Sequence, residues 1–242
     1  MQQSKVVSQE EWIAARRALL EKEKAHMRNG DALAAERRAL PWVKVEKGYV
    51  FDTTSGPKAL PELFDHRSQL IVHHFMYAPD WSAACPGCSF QAEHIDGPAP
   101  HLERHDVRII AASRAPLNKL VAYKARMGWR FDWVSSGEEF SRDFRVSFTE
   151  DEIAKGRIDY NFGTIVTDPR YLSRELPGLS VFYKNDAGEV FHTYSTYARG
   201  LDQLLGTNHY LDITPEGRNK GAYPNWPRRR DEYDMAASSS HH

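Results

Sequence analysis

Between residues 70 and 134, short runs of branched apolar residues alternate with longer amphipathic ones, and that alternation leaves few architectures open. "LIVHHFMYA" (70–78) reads as a buried strand and "CSFQAEHIDGPAPHLERH" (88–105) as helix interrupted near Gly97-Pro98. "VRIIAAS" (107–113) is a second strand, "APLNKLVAYKARMG" (115–128) a second helix and "FDWV" (131–134) a short third strand. "LSVFYKNDAGEVFHTY" (179–194) then reads as two strands joined at Asn185-Asp186-Ala187-Gly188. Strand, helix, strand, helix and hairpin predict an α/β fold with helices on both faces of a mixed sheet.

The flanks are simpler. Ser8-x-x-Glu11 is a capping box opening a helix from Trp12 to about Met27; Asn29-Gly30-Asp31 is expected to break it and cap a second, shorter helix before Pro41. "WVKVEKGYVF" (42–51) alternates like a hairpin turning at Glu46-Lys47-Gly48. The expected organisation is an N-terminal helical extension (1–41), an α/β domain (42–213) and a partly disordered C-terminal tail (214–242). In that tail Arg228-Arg229-Arg230 precedes Asp231-Glu232 and reads as solvated, and "AASSSHH" (236–242) has nothing to bury.

Charge and hydropathy exclude several functions. The net charge is -1, from 32 basic and 33 acidic residues, so nothing in the balance draws the chain to nucleic acid or anionic membrane. The N-terminus lacks the apolar stretch of a secretory signal, and no run is long enough to cross a bilayer. A cytoplasmic location is the expectation, and there thiols stay reduced.

That compartment sharpens the meaning of "WSAACPGCSF" (81–90), which holds both cysteines of the chain, Cys85 and Cys88. The pair falls where a strand ends and a helix begins, with Pro86 suited to the first helical turn. Free backbone N–H groups there stabilise a thiolate at Cys85, and the i, i+3 spacing brings Cys88 to the same face. The expected order is therefore Cys85 attacking and Cys88 resolving. Zinc binding would need two further ligands; no second C-x-x-C exists, and the Gly97-Pro98 break separates His94 from His101. Inert, buried thiols are the third reading. No glycine-rich phosphate loop, carboxylate cluster or G-x-S-x-G occurs, so neither cofactor nor metal is expected.

Neighbouring candidates follow from position. Arg114, just past the second strand, is placed to lower the Cys85 pKa or else lies on the surface. Trp81 is a candidate wall for a substrate or a packing residue. His73 and His74 point to opposite faces of their strand, so at least one is buried, with proton transfer a possible role. "HTYSTYARG" (192–200) either lines a pocket or covers the sheet.

Strand, W-x-x-x-C-P-G-C and helix together resemble a thioredoxin-fold protein. More specifically, "HHFMYAPDWSAACPGCSFQAEHIDG", "SRAPLNKLVAYKARMGW", "DFRVSF" and "GLSVFYKNDAGEVFHTYSTYARGLDQLLGTNHYLDITPEGR" resemble the DUF899 family over most of the chain, to about Tyr233. The resemblance implies a thioredoxin-like fold and a dithiol-disulfide oxidoreductase acting on a disulfide-bearing protein or a small-molecule disulfide. Departures from ordinary thioredoxins are Ala84 in place of Trp before the first cysteine, and Pro86-Gly87 in reversed order. Thioredoxins also carry a cis-proline directly before a strand; Pro177 is the nearest candidate, set back from the expected strand.

Asp80-Trp81-Ser82-Ala83-Ala84-Cys85-Pro86 is also similar to the peroxiredoxin segment Asp-aromatic-Thr/Ser-x-x-Cys-Pro. There Ser82 would polarise a peroxide, although Pro79 stands one residue later than that family's proline. A third reading is a thioredoxin-fold scaffold whose thiols do no catalysis, since the N-terminal helices and residues 137–177 exceed a minimal fold. Geometry alone predicts Cys85 to be the more accessible thiol, with its sulfur close to that of Cys88 and facing the first N–H groups of the helix.

Overall fold

The computed structural model describes residues 5–168, 173–218 and 226–233. The chain divides into two compact units, residues 1–42 and 43–242. In the first, the capping box forms as read: Ser8 Oγ accepts from the Glu11 N–H at 3.2 Å, and the Glu11 carboxylate accepts from the Ser8 N–H at 3.0 Å. Acidic Glu10 and Glu11 at the start, and Arg37 and Arg38 at the end, complement the helix dipole. The expected break does not occur. One helix, α1 (Gln9–Arg38), runs straight through Gly30. A single glycine costs about 1 kcal/mol relative to alanine, which the good helix formers on either side outweigh.

The second unit is built on an eight-stranded sheet among the described residues, in the order β1-β10-β9-β4-β5-β6-β2-β3. Its first strands are β1 (Val43–Lys44), β2 (Val50–Asp52) and β3 (Lys58–Ala59), followed by a 3-10 turn (Leu60–Phe64) and β4 (Gln69–His74). Helices α2 (Pro86–Ala92) and α3 (Ala99–Arg104) cross over to β5 (Val107–Ser113), and α4 (Leu117–Met127) crosses to β6 (Asp132–Ser136). Next come α5 (Glu138–Asp143), α6 (Glu150–Ala154) and a separate antiparallel pair, β7 (Ile158–Tyr160) and β8 (Thr164–Val166). The hairpin β9 (Gly178–Lys184) and β10 (Val190–Tyr197), a 3-10 segment (Ala198–Leu204) and α7 (Gly206–Asp212) complete the order.

β4, β5 and β6 are parallel, as the helical crossovers require, while β9 lies antiparallel to β4 and β10 antiparallel to β9. A β-α-β unit whose first strand also pairs with the following hairpin is the thioredoxin-like arrangement. The fold is thioredoxin-like, as expected, with β6 and the short strands widening the sheet. The hairpin expected over 42–51 is a correction: β1 pairs with β10 and β2 with β6, toward opposite flanks of the sheet. Strands of two or three residues gain little from pairing with each other, and each instead extends a strand already in place.

Alternation along β4 separates two cores. Leu70 and Val72 join Phe51, Phe64, Phe140 and Phe182 on one face. Phe75 joins Cys88, Leu120, Tyr123 and Trp133 on the other, under α2 and α4. His73 and His74 divide the same way: His73 lies 5.4 Å from the Phe75 ring, and His74 is 5.5 Å from Phe140. Among the described residues, no helix is long and apolar enough to cross a membrane.

The Arg228-Arg229-Arg230 run is also corrected. Arg229 is largely buried, with 16% of its side chain exposed, and it bonds to the Ala84 carbonyl; Arg230 pairs with Glu93 at 3.1 Å. Trp226 packs edge-on against Phe90 at 4.9 Å and anchors the segment. The disorder expected over 236–242 lies outside the described residues.

Candidate active site: the cysteine pair at the start of α2

Cys85 is the N-cap of α2, with Pro86 at the first helical position, where its missing N–H costs nothing. The segment leading from β4 holds the pair in place. The Cys85 N–H donates to the Met76 carbonyl at 3.1 Å, and the Met76 N–H points at Cys88 Sγ at 3.4 Å. Both thiols are free; Cys85 is partly exposed, whereas Cys88 is 2% exposed and packed in the core beneath α2.

The electrostatics separate the two sulfurs. The Cys88 thiol donates to the Cys85 sulfur and pulls its pKa down to about 6, against the opposing effect of burial. The N–H groups of Cys88 and Gly87 and the charge of Arg229 act in the same downward direction. Cys88 is pushed well up, first by donating to Cys85, then by burial and the neighbouring negative charge. Both shifts favour a thiolate at the partly exposed Cys85 and a protonated thiol at the buried Cys88.

A ring of hydrogen bonds surrounds Cys85. Ser89 Oγ donates to the Cys85 carbonyl at 2.9 Å and accepts from Tyr123 Oη at 2.9 Å. Arg229 donates to the Ala84 carbonyl through Nη2 at 2.6 Å and Nε at 3.2 Å, and pairs with Glu232 at 2.6 Å. Arg229 and Tyr123 are the contributors that sequence reasoning missed. The signal available was Trp226, an aromatic residue that a fully solvated tail would not need. Replacing Arg229 with glutamine is expected to raise the pH at which Cys85 titrates, with an order-of-twofold fall in its alkylation rate at pH 6. Peptide-resolved mass spectrometry reads this, and an unchanged rate would remove Arg229 from the site.

The sequence-selected residues distribute as follows. Trp81 is half-buried against the α2 core, and its carbonyl accepts from Lys119 Nζ at 3.1 Å, so it packs beside the pair. Gly87 is exposed, and a Cβ there would meet Cys85 Sγ at 3.7 Å, ordinary contact. Ser82 is exposed, and no hydrogen bond around Cys85 involves it among the described residues. Arg114 is neither on the surface nor among the groups that lower Cys85. It is 6% exposed, bonded to Glu175 at 2.6 Å and to Glu138 at 2.9 Å. Its place past β5 was read correctly, but Glu175 and Glu138 hold its guanidinium instead.

Pro177 directly precedes β9, because that strand starts one residue earlier than expected, and its preceding peptide bond is trans. His73 and His74 are both pushed down to about 3 by burial, so both rings stay neutral. His94 is held by the Phe90 carbonyl and Thr207. No group of three or more His, Cys, Asp or Glu side chains able to hold a metal occurs among the described residues.

The family described as "Bacterial protein of unknown function (DUF899)" matches residues 1–233. The chain belongs to that family. No curated protein matches this DUF899 chain. Among solved structures it is similar to the peroxidoxin BcpB of Mycobacterium tuberculosis, at 12% identity and a TM-score of 0.46, covering 69% of this chain and 95% of that one. A cysteine-to-serine mutant of Xanthomonas campestris peroxiredoxin Q shares 16% identity with a TM-score of 0.41, over 66% and 90% of the two chains. A thiol:disulfide interchange protein from Bacteroides sp. shares 10% identity with a TM-score of 0.40, over 74% and 96%. These likenesses are distant, and the reading of the DUF899 site rests on its own geometry.

Proposed function

We propose that the protein is a dithiol-disulfide oxidoreductase acting on a disulfide-bearing protein or small-molecule disulfide in a reducing compartment such as the cytoplasm. The observation that supports this reading is the asymmetry of the pair: Cys85 lies partly exposed at the N-cap of α2, its pKa drawn down by the neighbouring Cys88 thiol and backbone N–H groups, and Cys88 is buried behind it. The Cys85 thiolate attacks one sulfur of the substrate disulfide, forming a mixed disulfide and releasing the first substrate thiolate. Loss of the Cys88 proton gives a second thiolate, which attacks Cys85 Sγ. The Cys85–Cys88 disulfide forms and the second substrate thiolate leaves. The substrate gains two electrons, the enzyme loses two, and a donor dithiol restores the reduced pair.

Reduced protein mixed with oxidised glutathione is expected to lose both free thiols and gain the Cys85–Cys88 disulfide, read by mass spectrometry of the linked peptide. Hydrogen peroxide serves as the second arm of the test. Consumption of peroxide far faster than by free cysteine, with slow exchange against glutathione disulfide, would replace the reading with a thiol peroxidase. Failure of both arms, with pull-down partners that persist in a Cys85→Ala variant, would leave a scaffold.

A further inference from the structure

Away from the thiols, a cavity of about 370 Å³ opens between the α2–α3 layer and the sheet face formed by β4, β9 and β10. Its size lies within the range of about 300–1,000 Å³ typical of small-molecule sites. The walls are mainly apolar: Ile71, Ile95, Leu102, Leu179 and Val181 line it, with Leu204 of the 3-10 segment at its exposed rim. Among the described residues no Asp, Glu, Lys or Arg lines it.

Gln91, Tyr194, Thr196 and Gln203 also line the cavity, and His73 is the lining residue whose polar side-chain atoms are fully buried without a partner among the described residues. His73 is 1% exposed, and neither ring nitrogen has a hydrogen-bond partner among the described residues. His94, also lining the cavity, is satisfied by Phe90 and Thr207, so it does not share this condition. An unpaired imidazole between apolar walls costs stability, and a ligand bringing one hydroxyl or carbonyl into the cavity would recover that loss once the ring turns to present a nitrogen, since both nitrogens are covered as it lies. Burial keeps the His73 ring uncharged. With no charged wall residue, a carboxylate head would be buried without compensation, so the fitting ligand is neutral.

The geometry points to a binding site for an uncharged, predominantly apolar small molecule carrying a single hydroxyl or carbonyl, which hydrogen-bonds to His73 while its apolar body lies along Ile71, Leu179 and Val181. The site does not depend on the thiol chemistry. Its occupant is recognised by shape, apolar area and one hydrogen bond.

The test uses the full chain with N-phenyl-1-naphthylamine as an uncharged fluorescent probe, displaced by 1-decanol or by decanoate at pH 8. Saturable probe binding is expected, with 1-decanol displacing it at least about tenfold more tightly than decanoate. Leu204→Trp at the exposed rim should weaken probe binding about tenfold or more. His73→Phe keeps the ring shape and should retain probe binding while weakening 1-decanol about tenfold. The His73 ring N–H resonance in the wild-type protein provides a readout that does not depend on that variant folding, and it should shift on addition of 1-decanol. Absence of saturable binding, including through occlusion by another part of the chain, would overturn the site. Indifference to Leu204→Trp, equal affinity for decanoate, or an unmoved His73 resonance would each overturn the assignment.

Discussion

A Cys88→Ala variant exposed to a disulfide substrate should accumulate a stable mixed disulfide at Cys85, and Cys85→Ala should show no exchange above background. The two outcomes follow from one geometry. Cys85 is partly exposed with its pKa lowered, whereas Cys88 is 2% exposed and packed in the core beneath α2. Removing Cys88 leaves attack intact and removes resolution. Turnover should fall by at least about 10²-fold, because millimolar external thiol does not match the effective concentration of an intramolecular one. Mass spectrometry of the adduct, with and without dithiothreitol, checks this. A reductant-sensitive adduct at Cys88 in the Cys85→Ala variant, and none at Cys85, would reverse the roles.

The second large effect concerns stability against pH through Glu175. Burial raises its pKa to about 7 despite the pull of Arg114 at 2.6 Å. The folded protein therefore retains a proton that the unfolded chain releases from its ordinary value of 4.5 upward. A raised folded pKa contributes stability that is fully present below about 4.5 and is lost as pH rises through about 7. Wild type should thus lose up to about 3 kcal/mol relative to Glu175→Gln between pH 4.5 and pH 7.5. Parallel urea titrations of the two proteins across that range measure the difference. Curves that stay parallel, or wild type gaining on the variant as pH rises, would mean that Glu175 is ionised throughout. The same residue bears on the site, since its negative charge is among those that push Cys88 upward.

What could be read in advance was what local pattern determines. β5 spans 107–113 as its branched apolar run implied, and Gly128 ends α4 in the left-handed conformation at φ 70. The thiol pair sits at the head of α2 because Pro86 favours a helix start. Features set by partners distant in sequence were not visible. Val43 and Phe51 alternate like one hairpin, yet β1 finds β10 and β2 finds β6, and no local rule chooses between two edges. Arg114 and Arg229 show the same limit. Position alone left Arg114 either beside the thiolate or on the surface, but Glu175, 61 residues on, holds it. Arg229 reaches Ala84 across 145 residues from a segment whose composition suggested solvent. Gly30 erred in the opposite direction, since a helix-weakening residue does not end a helix that its neighbours favour.

The claim at the centre of this account is that Cys85 is the thiolate of the pair, and its titration tests that claim most directly. Iodoacetamide alkylation of the reduced wild-type protein, followed separately at Cys85 and Cys88 by peptide mass spectrometry across pH 4.5 to 9.5, gives two rate profiles. Cys85 should rise with a midpoint near about 6, well below the roughly 8.5 of a free cysteine, while Cys88 stays unreactive across the range. A Cys85 midpoint at or above that of a free cysteine, or Cys88 reacting first, would contradict the account.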